Sequence, residues 1–138
     1  MPQPIESFRD LDVWRVAMDL AERIHRIAAT LPATERFELS SQMRRAATSI
    51  PSNVAEGHDT QMRRRYRHHA RLALGSAAEL STQLEIALRL GYVAAAERDE
   101  IEKQIRRTQQ LLGGVIRNIT RQLRIKAGLT IVAVLLFL

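Results

Sequence analysis

Few residues in this sequence have the types and spacing that chemistry demands. Glu22 and His25 stand three apart, which puts both on one helical face, the arrangement by which carboxylate-bridged metal bundles present ligands. Such a centre needs a second Glu-x-x-His pair, and the sequence has none, so no metal and no cofactor is expected and His25 reads as a polar flank residue. His68 and His69 are adjacent, leave a helix about 100° apart and are poorly placed to chelate one ion. Ser49 with Glu56 or Glu79 would supply a nucleophile and a base, but no His accompanies them. HExxH, Walker A, Rossmann-glycine and nucleophile-elbow patterns are absent. The expectation is a non-enzyme without catalytic residues.

Charge is the stronger signal. The net charge is +6, yet residues 1–62 carry seven Arg against nine acids, while residues 63–126 carry fourteen cations against six acids. Nineteen of the 21 cations are Arg, whose planar fork suits phosphate. Arg63, Arg64, Arg67 and Arg71 crowd the start of a third helical segment, with Arg65, His68 and His69 beside them; Arg106, Arg117, Arg121 and Arg124 fall along a fourth. These eight are the candidate phosphate contacts. Tyr66 shares the angle of Ala73 and Leu84 and is assigned to the core. Arrays almost without exposed aromatics suit phosphate contacts and shape recognition better than base readout; the expected partner is nucleic acid, structured RNA ahead of DNA. Binding should be salt-sensitive and weakly sequence-specific. The alternative is a structural scaffold or adaptor whose basic face docks an acidic protein, with nucleic acid irrelevant.

The elements that must position these residues follow from periodicity. With 138 residues, 46% hydrophobic, six Gly, four Pro and no Cys, the chain suits one helical domain in a reducing compartment. The first twelve residues lack the layout of a secretory signal, so a cytoplasmic protein is expected. Breaks at Pro32, Gly57 and Gly91, with Gly128 closing the last segment, divide the chain into four amphipathic helices. The first runs from Asp10, read as its N-cap, to Thr30; the others span about 35–57, 60–90 and 95–126. Ile101, Ile105, Leu112, Ile116, Ile119 and Leu123 form the clearest apolar stripe, within about 60° of helix circumference. The fold class is all-α: an antiparallel up-down-up-down four-helix bundle over 11–126, with a lead of 1–10 and an apolar tail of 127–138.

Polar residues beside the apolar faces predict a network between the second and third helices. Gln42, Arg45, Ser49, Asn53 and Glu56 share one face; Ser76, Glu79 and Gln83 share another. Arg45 is expected to pair with Glu79 or Glu56, and Asn53 to serve carbonyls freed by Pro51, which should either kink the helix or leave a carbonyl unpaired. The tail, AGLTIVAVLLFL, is uncharged and shorter than the about 20 residues a spanning helix needs. It is expected to tuck into an apolar groove or subunit interface, or to be an out-of-frame extension. Membrane contact helped by Arg121, Arg124 and Lys126 is the minor reading, and a membrane is not an expected partner.

Three stretches carry a resemblance: FRDLDVWRVAMDLAERIHRIAATLP, ERFELSSQMRRAATSIPSNVAEG and LALGSAAELSTQLEIALRLGYV. Over about residues 8–120 the chain resembles the four-helix-bundle family encoded by intervening sequences within 23S ribosomal RNA genes. A relative of that family is the accessory variability determinant of diversity-generating retroelements. The resemblance implies a homopentameric ring with a basic surface and no catalytic activity. In the retroelement branch it implies association with nucleic acid and with a reverse transcriptase. Arg45, Ser49, Asn53, Glu56, Gly75, Ser76 and Glu79 match the family's signature, in a framework role. The tail after Lys126 lies outside it, and both branches stay open.

Overall fold

Apolar residues recurring at helical spacing build four helices, which the computed structural model describes over residues 4–137. They are α1 (Asp12–Ala28), α2 (Leu39–Asp59), α3 (Arg63–Arg89) and α4 (Ala95–Phe137). Each packs on its neighbours in sequence, and α1 closes on α4, while the diagonal pairs are not in backbone contact. This is the antiparallel bundle that short connections dictate. Leu20 and Ile24 of α1, Met43 and Ile50 of α2, Leu80 and Leu84 of α3 and Ile101, Ile105 and Leu112 of α4 are fully enclosed at its centre. Burying a side chain of this kind contributes about 1.5–3 kcal/mol.

The connections show how the ends are set. Asp10 is not the N-cap of α1: it closes a 3-10 turn over Phe8–Asp10, accepting bonds from the Ser7 and Glu6 backbone N–H groups at 2.9 and 3.0 Å. The Ser7 bond, then the Glu6 bond, holds its carboxyl below the ordinary Asp range. Leu11 takes the N-cap place instead, without a side-chain bond. At the far end of α3, Gly91 has φ +76°, its N–H bonds Leu88 O and the Tyr92 N–H bonds Ala87 O. That is a Schellman cap, which needs the left-handed backbone Gly adopts without a Cβ penalty.

Two expected breaks are not breaks. Gly57 lies inside α2, because a Cβ there would come within 2.8 Å of the Tyr66 ring and 2.9 Å of His69 Cβ; the residue exists to let α2 and α3 approach. Gly128 lies inside α4, which continues to Phe137, so the tail is no separate element. Nor does it enter a groove: residues 124–137 are all exposed. Pro51 is buried within an uninterrupted α2.

Candidate nucleic-acid interface

The polar seam between α2 and α3 fixes their register, and with it the position of the basic start of α3. Ser49 and Ser76 share a hydroxyl–hydroxyl bond of 2.9 Å. Asn53 Nδ2 donates to Ser49 O at 2.9 Å and to Ser49 Oγ at 3.0 Å, while Asn53 Oδ1 lies 3.0 Å from His69 Nδ1. Glu56 approaches the same His69 nitrogen at 3.7 Å, and Gln83 donates to Glu79 at 3.1 Å. The expected Arg45 pair is not made: among the described residues Arg45 has no carboxylate within 4.0 Å, and it sits exposed on an open cleft shared with Gln42, Ser49, Ser76 and Glu79. Asn53 does not serve Ala47 O, the carbonyl that Pro51 deprives of its donor; it reaches the carbonyl two residues before Pro51. His69, read with the basic array, is the seam's missed member. Its signal was the helical wheel, on which it stands about 20° from Ser76.

Held in this register, α3 begins against the later turns of α4. Arg63 Nη1 donates to Gln122 Oε1, and Arg67 Nη1 to Thr120 Oγ1 at 3.2 Å. Arg63, Arg64, Arg67 and Arg71 are thereby brought beside the α4 stretch that bears Arg117, Arg121 and Arg124. On α4, Gly113 and Gly114 supply no side chains, and the Arg117 guanidinium lies over them, 3.1 Å from where a Gly113 Cβ would stand. Arg121 donates to Asn118 Oδ1 at 3.0 Å. The partners of these guanidinium groups are neutral, so their charge is steadied and not cancelled.

Arg106 is the exception among the eight. It lies about 17 Å along α4 from Arg117 at 1.5 Å per residue, and its Nε is 3.9 Å from Glu102. Among the described residues, the other seven have no carboxylate within 4.0 Å. Six of them are exposed and Arg67 is half-buried. Tyr66 is half-buried against Gly57, with desolvation raising its phenol above the ordinary range. The described residues contain no group of three His, Cys, Asp or Glu able to hold a metal, and His25 bonds Thr48 Oγ1 at 2.8 Å. They also contain no helix long and apolar enough to cross a membrane.

Fold and surface together define the class: an antiparallel four-helix bundle whose α2–α3 end concentrates un-neutralised arginine. The chain belongs to the 23S rRNA-intervening sequence protein family, which matches residues 9–114. The match stops short of the expected residue 120, so Arg117, Arg121 and Arg124 lie beyond it. The chain is also similar to a crystal structure from Bacteroides thetaiotaomicron VPI-5482, described as a protein with unknown function from the S23 ribosomal protein family. The identity is 26% and the TM-score 0.71, over 76% of this chain and 95% of that one. No curated protein matches the sequence.

Proposed function

We propose that this protein is a non-enzymatic RNA-binding bundle that grips the phosphates of structured RNA through Arg63, Arg64, Arg67, Arg71, Arg117, Arg121 and Arg124, with Arg106 as an outlying contact. One observation carries the reading: seven guanidinium groups stand on the adjoining ends of α3 and α4 with, among the described residues, no carboxylate within 4.0 Å. Guanidinium forks bind phosphate oxygens bidentately, and releasing counterions from the polyanion drives association. The family's name, which refers to ribosomal RNA, supports RNA as the polyanion. Self-association into a ring, with five copies the order the resemblance implies, belongs to the proposal and is checked by native mass spectrometry. Its narrowest form is an accessory factor of a retroelement reverse transcriptase, checked by co-purification with such an enzyme after nuclease treatment.

The test is fluorescence anisotropy with a labelled RNA hairpin. Reversing Arg63, Arg67, Arg121 and Arg124 to Glu should weaken binding by about a hundredfold or more at low salt, since each lost phosphate contact removes its share of counterion release. Equal binding by the reversed protein, or no binding by the native one, rejects the proposal. Capture of an acidic protein that persists after nuclease, with no RNA affinity, would favour the adaptor reading instead.

A further inference from the structure

The turns of α4 past Lys126 have no part in the proposed RNA contacts and no cover in the bundle. Helix α3 begins at Arg63, which meets Gln122, so α4 runs alone for about fifteen residues beyond it. Leu129 is 66% exposed, Leu136 78% and Phe137 92%. On the helical wheel, Ile125, Leu129, Val132 and Leu136 fill one sector of about 60°, Ile131 and Leu135 a second, Val134 and Phe137 a third. The helix is therefore apolar all round. A second helix packed on it would cover one stripe and leave the others in water; a hydrocarbon medium covers every side. The one polar side chain in the stretch is already satisfied, because Thr130 Oγ1 donates to Lys126 O at 3.0 Å.

Length and charge say where such a helix would sit. Residues 127–137 span about 16 Å, close to the half-thickness of a hydrocarbon core about 30 Å across, and well short of crossing it. The root of the projection carries cations: Arg121, Arg124 and Lys126 on α4, and Arg63 and Arg64 at the adjoining start of α3. After Lys126 the chain carries no charged side chain. An apolar plug with a basic collar matches one leaflet of acyl chains beneath anionic headgroups.

We propose that the projecting end of α4 is a one-leaflet anchor that inserts into an anionic phospholipid surface, with the arginine collar seated on the headgroups. The anchor uses residues that RNA binding does not, while its collar is the same cationic end, so RNA and lipid compete for the protein. The test is flotation of the full-length protein with vesicles of phosphatidylserine and phosphatidylcholine in equal parts. The native protein should rise with these vesicles and much less with phosphatidylcholine alone. A variant carrying Leu129→Gln, Val132→Gln and Leu136→Gln should stay at the bottom, while its thermal melting and RNA affinity match the native protein, because the changed side chains touch nothing in the bundle and add no charge beside the arginines. Excess RNA hairpin should lower native flotation. The proposal is overturned if the native protein fails to rise, if the tail variant rises equally well, or if the variant's only change is a smaller native mass, which would make the tail a seam between copies. Failure of the RNA reading would show separately, as a native protein that floats and binds no hairpin.

Discussion

The two ends of α4 use the same residue types to opposite effect. In its first half Ile101, Ile105 and Leu112 are fully buried, and three of the four cations are matched, Arg107 being the exception: Arg98 with Asp99 at 3.3 Å and Glu85 at 3.8 Å, Lys103 with Glu100 at 2.9 Å, Arg106 with Glu102 at 3.9 Å. Among the described residues beyond 115, only Ile119 is buried, Arg117, Arg121 and Arg124 have no carboxylate within 4.0 Å, and the aliphatic side chains of 127–137 face outward. For the turns past Gln122 the cause is tertiary: α3 begins at Arg63, against Gln122, and nothing of it reaches the turns beyond. One half of the helix holds the fold together, and the other leaves its charge and apolar surface outside the bundle.

Truncation at matched positions is the harshest way to break this contrast. Leu112→Ala should destabilise the protein by about 2–5 kcal/mol, as enclosed leucines do, whereas Leu129→Ala should stay within about 0.5 kcal/mol of native. Denaturant unfolding measures both, and equal costs would erase the distinction. Gly57→Ala comes next. Its Cβ would press on the Tyr66 ring and His69 Cβ, so a loss of about 1–3 kcal/mol is expected despite the better helix propensity of Ala, and the shifted α3 should also weaken hairpin binding. Asn53→Ala leaves His69 Nδ1 and the Ser49–Ser76 pair short of a partner in the half-buried seam, with an expected cost of about 1–2 kcal/mol.

How much of this could be read from the sequence depended on how local the cause was. Four helices and their core stripes were legible because each helix repeats its apolar face every few residues, and Leu80, Leu84, Ile101, Ile105 and Leu112 are buried as the pattern requires. The Arg106–Glu102 pair was equally local, standing at i and i+4, yet the charge pattern counts Arg106 with the phosphate contacts. Gly57 was misread because glycine's local meaning is a break, and the reason for it, the approach of Tyr66, sits on another helix. The Asn53–His69 contact joins two helices across sixteen residues, and the wheel gave only the shared face of His69 and Ser76. The convergence of the α3 and α4 arginines rests on register, which the seam supplies and no single-helix pattern encodes.

The smallest effect sharpens the contrast by pH. The Lys103 hydrogen bond, then its charge, holds the Glu100 carboxyl below its ordinary range. A carboxyl lowered on folding adds stability above its unfolded pKa, and that contribution is lost as pH falls through the folded value. Acid titration should therefore lower the melting temperature slightly more in the native protein than in Lys103→Gln. Arg121→Gln, which leaves no acid unpaired, should show the native acid response.

The salt dependence of hairpin binding tests the central claim most directly. Converging arginines predict that log Kobs falls with log salt at a slope of about −3 or steeper, and that each single Arg→Gln change among Arg63, Arg67, Arg121 and Arg124 flattens it by about 0.7–0.9. The same change at Arg89, which Glu85 holds at 2.9 Å, should leave the slope unaltered. A slope near zero, or equal flattening at Arg89 and Arg121, would contradict the account.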